Sequence, residues 1–443
     1  MKQKMLAIGL VTSCLFTHGV MAENTTLFTN VDVFDGVHEK LIKDANVLIE
    51  GNKIKKISRS SIKQSDAEVI DGSGHTLMPG LIDAHYHITI TQGFESLAYD
   101  RPQIFVGALA AKSAEDTLNR GFTTVRDAGG PSQGLQMAID EGYIQGPRIL
   151  SSGAFISQTA GHGDFDTRRT YLSPYFNGNL DKAEIFGYTK IADGVAEVRK
   201  ATREVLRSGV AQIKIFGSGS VTGAHDPIDV SQFTFDELKA IVEEAENWGT
   251  YAMVHAYTNK SLQTAIKAGV KSVEHAQFAS EETIKLMKKN DVYLSTQVYG
   301  FSLDPYKIGM KGETAEKYLE VQKNSDTAIK LAKKYGVKIA FGTDAFGSLP
   351  LLAMQPRELL ARTKYFTPYE ILVQATSSNA ELLERSGKRH PYREGALGVI
   401  DEGAYADVLL VKGNPLEDIS LLTAPNENLS VIMKDGKFVK NTL

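Results

Sequence analysis

The sequence runs Pro79-Gly-Leu-Ile-Asp-Ala-His-Tyr-His-Ile88 at the point where an apolar segment ends in two histidines, His85 and His87. Side chains alternate between the two faces of a β-strand, so histidines two residues apart point the same way. Two neutral imidazoles that face one cavity suit a Zn²⁺ ion or a similar metal. Two polar residues on an exposed strand face are the ordinary alternative, so this segment alone leaves both interpretations open.

Later segments repeat the combination of a short apolar run and one residue able to bind a metal. The run Gly209-Val-Ala-Gln-Ile-Lys-Ile-Phe216 contains Lys214, which either extends to solvent at a strand end or is buried with a lowered pKa. The other runs are Tyr251-Ala-Met-Val-His255, Val270-Lys-Ser-Val-Glu-His275 and Val337-Lys-Ile-Ala-Phe-Gly-Thr-Asp344. Each residue alone has an ordinary explanation, such as a core histidine or an aspartate that caps a helix. Their regular succession at strand ends favours one shared metal site.

The order of these residues resembles the amidohydrolase superfamily, which has His-x-His on the first barrel strand, Lys on the fourth, His on the fifth and sixth, and Asp on the eighth. The motifs Met78-Pro-Gly-Leu-Ile-Asp-Ala-His-Tyr-His87 and Gly342-Thr-Asp344 carry the resemblance, which extends from about Leu27 to near the C-terminus. It implies an α/β fold, a (β/α)₈ TIM barrel with a small β-sandwich domain formed from both chain ends.

The resemblance also implies a site for two divalent metal ions, with zinc as the expected metal. His85, His87 and Asp344 would hold one ion, and His255 and His275 would hold the other. Lys214, carboxylated by CO₂ to N6-carboxylysine, would join them, since carboxylation turns a neutral amine into a hard anionic oxygen ligand. Two ions that share a water lower its pKa, and Asp344 would move its proton to the leaving group during amide or ester hydrolysis.

Within the superfamily the chain is most similar to the branch around imidazolonepropionase, which contains metal-dependent dipeptidases and carboxypeptidases, Xaa-Pro hydrolases and ochratoxin-cleaving amidases. The motifs that carry this similarity are Gly121-Phe-Thr-Thr-Val-Arg-Asp-Ala-Gly-Gly130, Ala160-Gly-His-Gly-Asp164 and His255-Ala-Tyr257. By the resemblance, His162 and Tyr257 recognise a free carboxylate of the substrate; a solvated loop histidine and a packed tyrosine are the ordinary alternatives. The segment Ala345-Phe-Gly-Ser-Leu-Pro350 departs from the branch, which usually has more glycine and histidine there, and this departure leaves the substrate open.

The resemblance implies cleavage of an amide or peptide bond in a small molecule or dipeptide with a free carboxylate, such as an Xaa-Pro dipeptide or an N-acyl amino acid. One alternative is a hydrolase of the same fold that opens cyclic amides or lactones. Deamination is disfavoured by Lys214, because deaminases generally use one metal and lack the lysine on strand four. A non-catalytic periplasmic binding protein is an alternative from another class, and it would need no convergent metal ligands.

The chain begins with the basic Met1-Lys-Gln-Lys4, a short apolar stretch and Val20-Met-Ala22, a pattern typical of a signal peptide over residues 1–22. The apolar run is too short for a membrane anchor. Cys14 is the only cysteine, and Val11-Thr-Ser-Cys14 is a less favoured lipoprotein signal. Export to the periplasm or beyond is therefore expected, with no disulfide or cysteine chemistry in the mature chain.

Length and charge limit the remaining possibilities. The 443 residues suffice for a large barrel over 79–394 and a smaller domain built from 23–78 and 395–443. A formal net charge of −4 offers no basic surface for nucleic acid or an anionic membrane. Assembly into a homo-oligomer is left open.

Alternating apolar runs and helix signals predict the elements of the barrel. We expect its strands at 81–88, 122–127, 148–154, 210–216, 250–256, 270–275, 292–297 and 338–344. Capping boxes predict helices that begin after Thr234 and Thr367, and Asp435-Gly436 predicts a hairpin. A long loop is expected over 155–192, and a loop of this length is typically either a functional lid or disordered. Arg126 and Asp127 are expected to form a structural pair, and His225 has no assigned role.

Overall fold

The computed structural model describes residues 24–94, 96–165, 180–223 and 226–443. The predicted signal peptide with Cys14, and also His225, lie outside these residues. The strands are β1 (Thr25–Val33), β2 (Ile42–Glu50), β3 (Lys53–Ser58), β4 (Glu68–Asp71), β5 (His75–Pro79), β6 (Leu81–Tyr86), β7 (Phe122–Asp127), β8 (Arg148–Ser151), β9 (Phe155–Ser157), β10 (Thr189–Ile191), β11 (Ile213–Phe216), β12 (Ala252–Ala256), β13 (Ser272–His275), β14 (Tyr293–Ser295), β15 (Ile339–Ala340), β16 (Val408–Lys412), β17 (Leu429–Lys434) and β18 (Lys437–Asn441). The α-helices are α1 (Gln103–Asn119), α2 (Gln133–Asp140), α3 (Lys182–Ile185), α4 (Gly194–Arg207), α5 (Phe235–Asn247), α6 (Asn259–Ala268), α7 (Glu281–Lys289), α8 (Gly312–Tyr335), α9 (Leu349–Leu352), α10 (Arg357–Ala361), α11 (Pro368–Val373), α12 (Asn379–Leu383) and α13 (Pro425–Asn428).

Strands from both ends of the chain join in one sheet, in the order β18-β17-β16-β5-β1-β2-β3. The sheet divides at β1, because residues 26–29 pair with β4 whereas Asp32 and Val33 pair with β5. Apolar side chains from the two ends, such as Phe28 and Leu410, pack into a core that is separate from that of the barrel. The predicted β-domain built from both chain ends is therefore present.

The predicted hairpin near the C-terminus joins β17 and β18 through a two-residue turn. Lys434 pairs with Lys437, and the turn residues Asp435 and Gly436 both have positive φ angles, of 55° and 69°. Positive φ at both positions matches the right-handed twist of the flanking strands, and aspartate and glycine tolerate it best.

Among the remaining strands, β6 to β8 and β11 to β15 form a closed parallel barrel. Strands β6, β7 and β8 pair in parallel, and β11 to β15 pair in parallel in chain order. The two groups meet where Ala211 N donates to Ser151 O at 2.8 Å and where Ala84 N donates to Phe341 O at 2.8 Å. Together with the intervening helices, this is the predicted (β/α)₈ barrel, in which the carboxyl ends of all strands open on one face.

The predicted barrel strands are present, and all except one have shorter bounds than predicted. The strand over Phe122–Asp127 matches its predicted limits, whereas β15 covers only Ile339–Ala340 of the predicted 338–344. Asp344 has a φ of 53°, which is incompatible with extended strand backbone. Pairing ends early in β15 because the last residues of this run turn toward the barrel mouth.

The expected long loop over 155–192 is wrong in part. It contains β9, α3 and β10, and β9 pairs in parallel with β10 and with β11. Residues 166–179, in the middle of this segment, lie outside the described part of the chain. Strands of three residues are too short to show the alternation by which a strand is recognised in a sequence.

Both predicted capping boxes are present. Thr234 and Glu237 exchange side-chain-to-backbone hydrogen bonds at the start of α5, and Thr367 and Glu370 do the same at α11. These bonds satisfy amide groups that the first helical turn leaves without partners. Across the described residues, none of the helices combines the length and apolarity that crossing a bilayer requires.

A buried arginine links the barrel to the β-domain. Arg148 on β8 donates to Asp407 at 2.8 Å and to Asp435 at 2.7 Å. Its guanidinium lies 3.9 Å from the ring centroid of Tyr405 and 5.0 Å from that of Tyr392. Two carboxylates and two aromatic faces thus compensate the buried charge at the amino-terminal face of the barrel.

Candidate active site

The side chains predicted to bind metal meet at the carboxyl-terminal face of the barrel. They line one cavity, although they come from five different strands or strand ends: His85, His87, Lys214, His255, His275 and Asp344. We call these residues the ligand set. Their convergence shows that the strand assignments made from the sequence bring distant residues to one place.

Three members of the ligand set form a compact group. Nε2 of His85 and Nε2 of His87 each lie 3.2 Å from Oδ1 of Asp344. The ligand atoms of the three residues all lie within 4.8 Å of one another. Two tetrahedral ligands about 2.0 Å from a zinc ion lie about 3.3 Å apart, so the spacing suits a bound cation.

The other members adjoin this group. The rings of His255 and His275 are 4.4 Å apart, and the ring of His275 lies 5.2 Å from that of His85. Nζ of Lys214 lies 3.4 Å from Nε2 of His85. Oδ2 of Asp344 lies 3.9 Å from Nδ1 of His275. The carboxylate is therefore close both to the first two histidines and to His275.

Each histidine of the ligand set has one ring nitrogen held by an oxygen outside the set. The contacts are His85 Nδ1 to Glu274 Oε2 at 2.8 Å, His87 Nδ1 to Gly129 O at 3.1 Å, His275 Nδ1 to Gln297 Oε1 at 2.8 Å and His255 Nε2 to Gly219 O at 3.2 Å. These oxygens accept hydrogen bonds, so each ring donates there, and the second nitrogen of a neutral ring keeps a lone pair. Histidines that ligate metals are held in this way.

Glu274 is a functional candidate that the sequence analysis missed. It lies on β13, is fully buried, and accepts hydrogen bonds from His85, from Arg126 at 2.8 Å and from Ser272 at 2.5 Å. Burial opposes ionisation of Glu274, but Arg126 and His85 outweigh burial and hold its pKa well below the usual value. Like Lys214, Glu274 is a charged residue inside an apolar strand, and that signal could have identified it.

The predicted pair between Arg126 and Asp127 is wrong. Within the described residues, Arg126 donates to Glu274 and Tyr251, whereas Asp127 accepts from Ile88 N at 3.0 Å and from Ser132 Oγ at 2.7 Å. Consecutive residues of a strand point to opposite faces, so the two side chains lie on opposite sides of β7 and do not contact each other. Burial raises the pKa of Asp127 to about 7.

The backbone at the end of β15 is shaped to place Asp344. A Cβ atom at Gly342 would lie 2.7 Å from Cβ of His85 and 2.6 Å from Oγ of Ser295, so only glycine allows this approach. The next residue, Thr343, donates through Oγ1 to Asp83 at 2.6 Å. Asp344 and His275 both have positive φ, of 53° and 77°, a strained conformation for residues with side chains.

The electrostatics of the ligand set favour neutral donors and a bound cation. Burial lowers the pKa of Lys214 to about 8, lowers that of His275 to about 3, and lowers that of His255 well below its usual value. For His85, burial and Lys214 oppose protonation, but Asp344 and Glu274 outweigh them and raise the pKa. A place that attracts a proton to His85 also attracts a metal cation, so the residues fit a metal site.

The two candidate carboxylate-binding residues lie beside His255. The ring of His162 stacks on that of His255 at 4.8 Å, and the ring of Tyr257 stacks on that of His275 at 5.1 Å. Nδ1 of His162 lies 3.4 Å from Oδ2 of Asp226. Burial raises the pKa of Tyr257 well above its usual value, so its hydroxyl remains a hydrogen-bond donor. Both side chains line the cavity of the ligand set.

Comparison with known proteins places this geometry among hydrolases. Residues 76–439 match the model of the amidohydrolase family. The sequence is 35% identical over 380 residues to ochratoxinase of Aspergillus niger, an alignment that covers 82% of this chain and 75% of that protein. The crystal structure of A. niger ochratoxinase superposes with a TM-score of 0.83 at 29% identity and covers 95% of this chain and 96% of that one.

Two further solved structures are similar over almost the whole chain. A prolidase complexed with N-methylphosphonate-L-proline has a TM-score of 0.86 and 33% identity, covering 94% of this chain and 100% of the other. A Xaa-Pro dipeptidase with bound methionine has a TM-score of 0.81 and 31% identity, with the same coverage of 94% and 100%. The similarity therefore includes the barrel and the β-domain.

Proposed function

This chain belongs to the amidohydrolase family and is related to ochratoxinase and to Xaa-Pro dipeptidases, and on that premise we propose that it hydrolyses an amide bond of a small substrate with a free carboxylate. The proposed site holds two divalent metal ions, with zinc as the expected metal. The substrate class includes Xaa-Pro dipeptides and N-acyl amino acids. The family resemblance predicted from the sequence motifs is confirmed by these comparisons, as is the fold.

The observation that carries the proposal is the convergence of lone pairs in the ligand set. Nε2 of His85 and Nε2 of His87 each lie 3.2 Å from Oδ1 of Asp344, and in the neutral rings all three atoms are acceptors, because Glu274 and Gly129 hold the other ring nitrogens. Such an arrangement is repulsive unless a proton or a metal cation lies among the three atoms. These residues would hold one ion, and His255 and His275 would hold the other.

When bound, the ions would supply the acidity that makes water a nucleophile near neutral pH, and they would polarise the substrate carbonyl. Lys214 is proposed to join the two parts of the site as a carboxylated lysine. Its amine would form a bond to the carbon of CO₂ and release a proton, which leaves an anionic carbamate with two oxygen ligands. The support is its burial, 1% exposed, next to His85.

Asp344 is proposed to move the proton of the reaction. Its carboxylate is about one fifth exposed, at 21%, and faces the cavity, whereas the histidines around it are buried. A carboxylate oxygen in this position can accept a proton from the attacking water and give it to the departing amine nitrogen. Transfer to the amine makes it a neutral leaving group, so the C–N bond can break.

Tyr257 and His162 are proposed to bind the substrate carboxylate. Both side chains line the cavity next to His255, where a hydroxyl and an imidazole can donate to an anion. The related prolidase structure contains N-methylphosphonate-L-proline, a ligand whose proline part carries a carboxylate. That relative supports a carboxylate-binding position, which we assign here to these two residues.

We also propose that the chain is exported and that residues 1–22 are removed. The support is the basic, apolar and small-residue pattern of its first residues. N-terminal sequencing of the protein recovered from the periplasm or medium should give a chain that begins at Glu23. Acylated Cys14 at the N-terminus would instead support the lipoprotein alternative.

The proposed function is tested with pairs of substrates that differ only at the carboxylate. The mature protein is incubated with N-acyl amino acids and Xaa-Pro dipeptides, and with their C-terminal amides, before and after treatment with a chelator. We expect hydrolysis of the free acids that is lost on chelation and restored by zinc, with the amides poorly cleaved. Activity confined to cyclic amides or lactones would support the ring-opening alternative. Absence of hydrolysis together with absence of bound metal would support a binding protein.

A further inference from the structure

Asp83 is a buried carboxylate at the junction where the barrel closes. It lies on β6, is fully buried, and does not line the cavity of the ligand set. Among the described strands, β6 and β15 stand at the ends of two separate ladders, so strand pairing contributes little to this junction. A carboxylate is costly to bury and needs several hydrogen-bond donors. Its contacts therefore indicate what the side chain does.

Four donors surround the Asp83 carboxylate. Oδ1 accepts from His85 N at 3.1 Å and from Thr343 N at 3.1 Å. Oδ2 accepts from Thr343 Oγ1 at 2.6 Å and from Gln355 Nε2 at 2.9 Å. Asp83 is thus bonded to a proposed metal ligand on its own strand and, 260 residues further along the chain, to the residue that precedes Asp344.

The bond to His85 N accompanies an irregularity in β6. Three steps along β6, from Asp83 to Tyr86, lie opposite two steps along β7, from Val125 to Asp127. One extra residue in a strand is a β-bulge, which disrupts the ladder locally and re-aims a side chain. Asp83 supplies the acceptor for the His85 amide in this bulge, so the bulge that directs the imidazole depends on the carboxylate.

The bonds to Thr343 hold the backbone directly before Asp344. The strand β15 ends at Ala340, so its pairing with β14 does not extend to this residue. Asp344 has a φ of 53°, and its amide donates to His85 O at 2.7 Å. A strained residue persists only where its surroundings fix it. Asp83 fixes the approach to this strained residue through two bonds.

A further link joins Asp83 to the loop that follows Asp344. Gln355 donates to Asp83 through Nε2, and its Oε1 accepts from Nε and Nη2 of Arg120 at 3.2 Å and 3.1 Å. Because Arg120 can only donate, the amide of Gln355 cannot rotate to present its oxygen to Asp83 without losing these bonds. The position of Asp83 therefore requires an acceptor.

We propose that Asp83 is a positioning residue that sets the separation between the two imidazoles of the His-x-His motif and the carboxylate of Asp344. One side chain holds both the bulge in β6 and the turn after β15, so the ligand atoms on the two strands stay 3.2 Å apart. The inference rests on the proposed function, because it concerns the ion assigned to His85, His87 and Asp344. The ion assigned to the other two histidines does not depend on these contacts.

The test replaces Asp83 by asparagine. Asparagine keeps the size of the side chain but accepts at only one of the two positions, so one set of donors loses its acceptor. The metal-free mature protein is titrated with zinc in competition with a chromophoric chelator. We expect one ion to bind about 10- to 100-fold more weakly than in the wild type, and the other to stay within about threefold. This equilibrium readout does not depend on turnover.

Thr343→Val tests the same link from the other strand. Valine is close to threonine in shape and removes only the Oγ1 donor, so the variant also serves if Asp83→Asn does not fold. It should weaken the same ion, by less than Asp83→Asn does. Since both changes break one bonded unit, the losses should not add in the double variant.

Asp127→Asn is the matched control. Asp127 is also fully buried and lies on the neighbouring strand, where it accepts from Ile88 N and Ser132 Oγ, but these bonds do not reach β15. This variant should bind both ions within about threefold of the wild type, even where its thermal stability falls as much as that of Asp83→Asn. With cobalt in place of zinc, the visible spectrum should change in Asp83→Asn and stay like the wild type in Asp127→Asn.

The inference and the proposed function fail in different ways. Wild-type affinity for both ions in Asp83→Asn and Thr343→Val would overturn the inference and leave the proposed function in place. Equal weakening of both ions in Asp83→Asn, or equal effects of Asp83→Asn and Asp127→Asn, would do the same by showing a structural role only. Failure of the wild type to bind zinc and to cleave any acid of the paired set would remove the proposed function, and the inference with it.

Discussion

Glu274 accepts a hydrogen bond from Nδ1 of His85 at 2.8 Å, and both side chains are completely buried. The same carboxylate also accepts a hydrogen bond from Nη2 of Arg126 at 2.8 Å. The hydrogen bond that His85 donates to Glu274 fixes the imidazole so that Nε2 faces Asp344. Glu274 is therefore a positioning residue of the site, and it acts through His85.

Replacing Glu274 by glutamine should weaken metal binding without unfolding the protein. The glutamine amide group keeps the size of the side chain but loses the negative charge that orients His85. Loss of such an outer partner typically costs about 10- to 100-fold in metal affinity or activity. Competition with a chelator measures the affinity, and a steady-state assay measures kcat.

Ser272→Ala is the matched control for this change. Ser272 donates to the same carboxylate at 2.5 Å but does not contact the proposed metal site. Its removal should leave metal affinity within about threefold of wild type, because His85 remains held by Glu274. Equal effects of Glu274→Gln and Ser272→Ala would show that the carboxylate has only a structural role.

Reconstitution of the metal-free protein should depend on CO₂ if Lys214 becomes a carboxylated ligand. After chelation in CO₂-free buffer, zinc alone should restore little activity, and added bicarbonate should restore most of it. Lys214→Met, which keeps the apolar stem and lacks the amine, should not respond to bicarbonate. Full recovery of the wild type with zinc in the absence of CO₂ would contradict the carboxylation.

Asp344→Asn should keep the fold and lose most turnover. An amide in place of the carboxylate cannot accept the proton of the attacking water, and general acid–base groups contribute about 10²- to 10⁴-fold to rates. Circular dichroism and thermal unfolding check the fold, and metal analysis separates a lost proton acceptor from a lost ligand. Turnover equal to that of the wild type would show that Asp344 does not move the proton.

Tyr257→Phe should impair only substrates with a free carboxylate. A hydrogen bond to a charged group contributes about 1.5–3 kcal/mol, which corresponds to roughly a 10- to 100-fold rise in KM. The C-terminal amide of the same substrate provides the comparison, because it lacks the anion. A similar loss for the acid and the amide would mean that Tyr257 only packs against His275.

His390 should make the protein less stable in acid. It lies close to Arg148 and accepts a hydrogen bond from Tyr392 N at 3.0 Å, and burial, with help from Arg393 and Arg148, lowers its pKa from 6.5 to about 4. Between pH 4 and 6.5 His390 is therefore more often protonated in the unfolded chain than in the folded protein. Its contribution to stability is therefore present above pH 6.5 and is lost as the pH falls to 4.

His390→Gln keeps an acceptor for the Tyr392 amide and cannot be protonated in this range. Denaturant unfolding at pH 7 and pH 4 should show a smaller loss of stability for this variant than for the wild type, by up to about 3 kcal/mol. Parallel loss of stability in the two proteins would mean that His390 is solvated or is charged in the folded state.

The parts of the fold that could be predicted are those that leave a local pattern. The strand β7 has its predicted bounds, His255 and Asp344 stand out as polar residues at the ends of apolar runs, and Lys214 stands out as a charged residue within one. The capping box at Thr234 is equally local, since its two partners are three residues apart. Local patterns, together with the family resemblance, therefore predicted the barrel strands and the side chains that converge at the carboxyl-terminal face of the barrel.

The parts that could not be predicted depend on contacts between distant residues. Glu274 is 189 residues from His85, and nothing in the neighbourhood of either residue identifies the other as its partner. The pairing of β9 with β10 joins strands of three residues each, which are too short to show a period.

The most direct test of the central claim is the number of metal ions bound per chain. The mature protein and His255→Ala are purified without chelator, saturated with zinc, desalted and analysed by elemental analysis against protein concentration. We predict close to two ions per wild-type chain and close to one in His255→Ala, which removes a ligand from one part of the site only. No stoichiometric metal in the wild type would contradict the claim that this ligand set forms a metal-dependent hydrolase site.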